Sequence, residues 1–232
     1  MNFLRRFGLI LFLVMLQVSC VQPTSPHARS VMTTTNNPKP TCSEIVDKRI
    51  ESFPFNATRE EALTWVEEHY DITPAEIHGG LSANGTGYYY YWKVDAKRYD
   101  LTGDINAAEP PVVGLIWENK PPSVNDILYC LGHPALYRSY YAVLPEAIWT
   151  YLELWYPERG IMVTIYITDK VSSINNGIPI AYVSYVKPGS LEKLLPRIFR
   201  DIAPGSERYF QILHNLRPWP DDITKITIDE TG

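Results

Sequence analysis

The sequence predicts an α+β fold: antiparallel sheet with helices on one face, built as two consecutive helix–hairpin units, residues 42–120 and 121–187. A C-terminal extension, 188–232, is expected to pack on the second unit. Three observations carry this reading. Two segments join a helix-capping residue to apolar positions at helical spacing, beginning at Thr58 and Ser123. Each is followed by runs that alternate with a period of two. Clusters of Gly, Pro and Asn punctuate them.

The chain opens with a basic pair, Arg5 and Arg6, and an apolar run from Phe7 to Leu16. That run is too short to span a bilayer, which takes about 20 apolar residues. The layout is that of an export signal over residues 1–19. "VSC" resembles the lipobox of bacterial lipoproteins: Val18 and Ser19 fit it, while Gln17 stands where that pattern usually has leucine. The resemblance implies a lipid on Cys20. The alternative is an ordinary secretory signal with a soluble mature protein. With two or more acyl chains on Cys20 the anchor would be stable, at about 0.8 kcal/mol per buried methylene. Residues 20–41 are rich in Ser, Thr, Pro and Asn and read as a flexible tether.

The folded region follows. Thr58 caps a helix, Glu61 completes a capping box, and Leu63, Trp65, Val66 and Tyr70 make its apolar stripe. Glycine-rich turn signals lead to strand-like runs at 88–96 and 112–118, with a polar stretch between them. Ser123 and Asp126 begin the second helix, whose apolar stripe is Val124, Ile127, Leu128 and Leu131. Gly132 and Pro134 stop it. Two alternating strands, 150–158 and 161–169, meet at the tight "PERG" turn. A further strand is expected within 178–188, a short helix near Pro196 and a last strand near 223–228.

Cys42 and Cys130 form a disulfide in one reading. In the other, Cys130 is a small buried apolar side chain. A bridge closing so long a loop would stabilise the fold by about 4 kcal/mol or more.

The composition excludes more than it assigns. Acids outnumber bases, 26 to 21, for a net charge of −5. Loss of the signal removes two arginines and makes the chain more acidic still. An acidic chain with no basic stripe is not a nucleic-acid binder. Gly-x-Ser-x-Gly, His-Glu-x-x-His, phosphate-binding glycine loops and Cys-x-x-Cys are all missing from the sequence. Neither a catalytic residue, a metal nor a cofactor is expected. Glu67, Glu68 and His69 are consecutive on a helix and point apart, while His78 and His133 fall in loops.

Sixteen tyrosines and six tryptophans concentrate on the predicted strands. Tyr88, Tyr90 and Trp92 share one face of their strand, and Tyr151 and Trp155 share another. With Tyr166 they form the expected interaction surface, unless a second layer of chain covers them. Tyr and Trp suit such a surface because they offer large area with few rotatable bonds.

"SVNDILYCLGHP" followed by "LWYPERGIMVTIYI" resembles the helix–LGxP–hairpin pattern of outer-membrane-assembly lipoproteins of the SmpA/OmlA kind. It is also similar to the beta-lactamase-inhibitor-protein-like fold, in which helix-plus-sheet units occur in tandem. The likeness covers roughly residues 123–168. It implies a sheet with helices on one face that offers the other to a protein partner. The leading expectation is therefore a non-enzymatic, lipid-anchored, extracytoplasmic domain that binds an envelope or cell-surface protein. A glycan or amphiphile held on the same aromatics is the second reading, and an envelope hydrolase the third.

Overall fold

The computed structural model describes residues 41–83, 85–105, 111–199, 202–220 and 222–230. The signal segment, Cys20 and the tether as far as residue 40 lie outside the described residues.

Among the described residues, nine strands form one sheet: β1 (His78–Leu81), β2 (Gly87–Val94), β3 (Lys97–Asp104), β4 (Val112–Trp117), β5 (Leu136–Val143), β6 (Ile148–Tyr156), β7 (Ile161–Ile167), β8 (Tyr182–Tyr185) and β9 (Arg217–Pro218). Their order is β1-β2-β3-β4-β8-β7-β6-β5-β9, and every pairing is antiparallel. Two four-stranded meanders thus lie side by side and join through β4 and β8. The described helices of two turns or more are α1 (Arg59–Tyr70), α2 (Val124–Leu131), α3 (Leu191–Ile198) and α4 (Glu207–Asn215). The chain is a mixed α+β protein.

Local chemistry sets the two leading helices. Thr58 N–H donates to Glu61 Oε2 at 2.8 Å, and Glu61 N–H returns to Thr58 Oγ1 at 3.3 Å. Ser123 and Asp126 repeat the exchange at 2.9 and 3.3 Å. These bonds occupy amides that a helix start leaves without partners. Gly132 ends α2 at φ 78°, a conformation that L side chains rarely adopt.

The apolar stripes of α1 and α2 face one side of the sheet. There Ala62, Trp65, Val66 and Tyr70 of α1 and Val124, Ile127 and Leu131 of α2 pack with Trp92, Tyr99, Leu101, Leu115, Leu154 and Val163. A second core lies on the opposite face. Leu194 and Leu195 of α3 and Tyr209 and Ile212 of α4 cover Val112, Trp155 and Met162. After β9 the chain returns to the first face, where Ile223 and Ile226 join the larger core. The C-terminal extension therefore wraps around the β5 edge and touches both faces.

This corrects the expectation of helices on one face alone. It also adds strands and a helix. The polar stretch after residue 96 is β3, the segment before residue 150 contains β5, and α4 was not expected. The last strand expected near 223–228 is instead a 3-10 turn, Ile223–Lys225, followed by a single bridge from Asp229 to Tyr140.

Cys42 and Cys130 are joined by a disulfide with a Cα–Cα separation of 5.3 Å. It fastens the helical turn Cys42–Ile45 to α2 across 88 positions of sequence. Just beyond it, Asp47 is buried and holds the N-terminal segment to the sheet. Its carboxylate accepts from Arg49, from Tyr99 at 2.6 Å and from Tyr70 at 3.2 Å.

Candidate functional site

Among the described residues, α3 and α4 are the elements that cover the second face of the sheet. Its uncovered part is set by strand register. Tyr140 of β5 faces Tyr151 of β6, which faces Tyr166 of β7. Trp149 lies two residues before Tyr151 and so on the same side. The Tyr140 and Tyr151 rings stack at 5.3 Å and 6°, the Trp149 and Tyr166 rings at 5.2 Å and 17°. Trp149 and Tyr151 bring the two stacks together at 6.4 Å. The four rings make one continuous platform. Tyr166 is 46% exposed and the other three are half-buried.

Below this row sits a buried ion pair. Arg138 donates to Glu153 at 2.7 and 3.0 Å, with side chains 5% and 3% exposed. The Arg138 guanidinium lies 4.5 Å from the Tyr140 ring centre and 5.5 Å from that of Phe199. Tyr140 donates its hydroxyl to Glu153 at 3.3 Å. Burial, reinforced by the Glu153 charge, raises the Tyr140 pKa, so its phenol stays protonated and donating. The pair thus fixes the inner edge of the platform.

Next to the platform is the β5–β6 turn, closed by a bond from Leu144 N–H to Ala147 O at 2.8 Å. Val143, Leu144 and Ile148 are exposed there. Val143 and Ile148 fall on the opposite side of the hairpin from Trp149, because successive side chains alternate. The hairpin end is apolar on both sides.

A second group occupies β2 and β3 on the same face. Tyr89 donates to Asp100 at 3.0 Å, and Arg98 Nε donates to the same carboxylate at 2.9 Å. Arg98 also donates to the Tyr89 hydroxyl and lies 4.6 Å over the Tyr91 ring. Its charge is therefore matched within the face. Between this group and α3 runs a cleft of about 760 Å³, walled by Tyr89, Thr102, Tyr182, Ser184, Ile198 and Phe199.

No family model, curated protein or solved structure matches this chain. The geometry alone carries the functional reading.

The aromatics picked from the sequence divide. Tyr151 and Tyr166 belong to the platform. Tyr88, Tyr90 and Trp92 point to the other face, where Trp92 is wholly buried and stacks on Tyr99 at 5.4 Å. Trp155 shares a face with Tyr151 but is wholly buried under the C-terminal helices. Tyr88, Trp92 and Trp155 are thus core residues, and Tyr90 is packed against the core. Trp149 and Tyr140 were missed, although two-residue spacing was enough to find Trp149 beside Tyr151. Alternation places Tyr89 and Tyr91 opposite Tyr88, Tyr90 and Trp92, but the expected surface took the wrong one of these two faces. Tyr140 required β5. No group of three or more His, Cys, Asp or Glu among the described residues is placed to hold a metal ion.

Proposed function

We propose that this chain is a non-enzymatic, extracytoplasmic domain, anchored by a lipid on Cys20, that docks an envelope or cell-surface protein through Trp149, Tyr151, Tyr166 and the β5–β6 hairpin. The observation that carries the reading is the row of four stacked rings on the uncovered part of the sheet, with Val143, Leu144 and Ile148 exposed at the end of the same hairpin. Exposed apolar patches mark interaction sites, and Trp and Tyr are enriched where binding energy concentrates. The charges behind the rings are already paired, so a partner meets no uncompensated charge there.

The reading extends to lineage. α1 with β1–β4 and α2 with β5–β8 are read as two tandem helix–sheet units, in keeping with the likeness to SmpA/OmlA-type lipoproteins.

In-cell cross-linking of the membrane-bound protein, followed by mass spectrometry, tests the proposal. A dominant protein partner is expected. It should be lost both with Cys20→Ser and with Trp149→Ala combined with Tyr166→Ala. A partner retained by the double variant would show that the platform is not the docking surface.

A further inference from the structure

The "LGHP" loop that ends α2 borders a pocket unrelated to the platform. It is an open depression on the α1–α2 side of the sheet, near the β5 edge, with a volume of about 360 Å³. That is at the small end of the range for ligand pockets, suited to one or two rings rather than a macromolecule. Three distant segments build it: Asn125, Tyr129 and His133 around α2, Asn176 from the turn before β8, and Trp219 with Asp222 after β9.

Each segment is fastened. Asn125 N–H donates to the Asn176 carbonyl at 2.9 Å, which fixes the turn against α2. Buried Ile174 secures the same turn, and buried Ile223 the last segment. Trp219 meets the Tyr137 ring edge-on at 6.1 Å and the His133 ring at 6.3 Å. Asp222 accepts from Thr224 N–H at 2.9 Å, and that bond holds its carboxyl below the usual range. The walls are therefore formed in advance of any ligand.

We infer that this pocket is a carbohydrate subsite for a neutral or amino sugar. Asn125, Asn176, His133 and Asp222 line it, and their side chains carry two amides, an imidazole and a carboxylate. All are planar groups that present fixed pairs of donors or acceptors, the complement of adjacent hydroxyls on a sugar ring. Trp219 and Tyr129 add aromatic surface of the kind that packs against the C–H face of a pyranose; Tyr129 is 66% exposed. The described lining contains one formal charge, the Asp222 carboxylate. Lys225 acts on that carboxylate from outside the lining. A phosphorylated or acidic sugar would meet an anion there, whereas a neutral or protonated amino sugar would not.

The test uses the full chain carrying Cys20→Ser, with its intrinsic tryptophan fluorescence as the readout. Chitotriose is the first probe, followed by an array of neutral, amino and acidic oligosaccharides. Saturable binding of a neutral or amino oligosaccharide is expected, weakened at least tenfold by Asn176→Ala and by His133→Ala. Both residues are exposed, so an unchanged melting temperature will separate lost binding from lost structure. Trp149→Ala should leave the sugar response intact, which keeps this inference distinct from the docking platform. A flat response across the array overturns it. So does binding restricted to acidic sugars, or binding that survives both substitutions.

Discussion

Asp47 is buried where the N-terminal segment, α1 and β3 meet, and its protonation state matters to all three. Burial by itself would raise its pKa. Hydrogen bonds from Arg49 and Tyr99, helped by the Arg49 charge, outweigh that and hold the carboxyl below its ordinary value near 3.8. The folded chain thus takes up this proton less readily than the unfolded chain. The stabilisation is fully present above the unfolded value and is lost as pH falls through the lower folded one. Asp47→Asn should lower stability at neutral pH and flatten the acid limb of a stability–pH curve measured by urea unfolding. An unchanged acid limb would place the sensitivity elsewhere. Glu153 makes a second residue-scale prediction. Glu153→Gln leaves Arg138 buried without its counter-ion, a change expected to cost about 3–5 kcal/mol. Replacing both by methionine should cost much less, because no orphan charge remains. Equal losses in urea unfolding would mean that the pair is worth more as an interaction than as mutual neutralisation.

At the scale of elements, legibility followed the range of the interactions that form each one. α1 and α2 were readable because Thr58–Glu61 and Ser123–Asp126 are partners within a single turn. β3 was hidden by its own chemistry. Tyr99 and Leu101 point into the core, but the alternating Arg98, Asp100 and Thr102 make the segment look like a loop. Those charges are tolerated because Arg98 and Asp100 neutralise each other across one position of the same strand. β5 failed to register for a longer-range reason. Its Arg138 is buried, and the partner that permits this is on β6. α4 has buried Tyr209 and Ile212 only because a second core exists. The disulfide belongs to this scale as well. It joins two short elements across 88 positions, and the loop-closure model assigns such a cross-link about 4 kcal/mol. Cys130→Ser should reduce the free energy of unfolding by that order under oxidising conditions. A reducing agent should bring the unsubstituted chain down to the same value and leave the variant unmoved.

At the scale of the whole molecule, one sheet serves two cores, and among the described residues part of one face is left uncovered. The sequence shows which residues share a face but not how far a distant segment covers it. Tyr151 and Trp155 illustrate the difference. They share a face of β6, yet Trp155 is sealed under α3 and α4 while Tyr151 lies beyond their reach. Coverage depends on where the extension turns around the β5 edge, which no local pattern encodes. The division predicts opposite outcomes for similar substitutions. Trp155→Ala removes a wholly buried indole and should cost about 3–5 kcal/mol, seen as a lower urea midpoint. Trp149→Ala combined with Tyr166→Ala removes comparable ring area from the platform, where solvent already reaches the side chains. It should change stability by no more than about 1 kcal/mol, the scale of stacking between half-exposed rings, while abolishing partner capture. If the platform variant unfolds as readily as Trp155→Ala, the rings are part of the core and a different surface must receive the partner. If it folds and still captures the partner, the exposed rings are not what the partner reads.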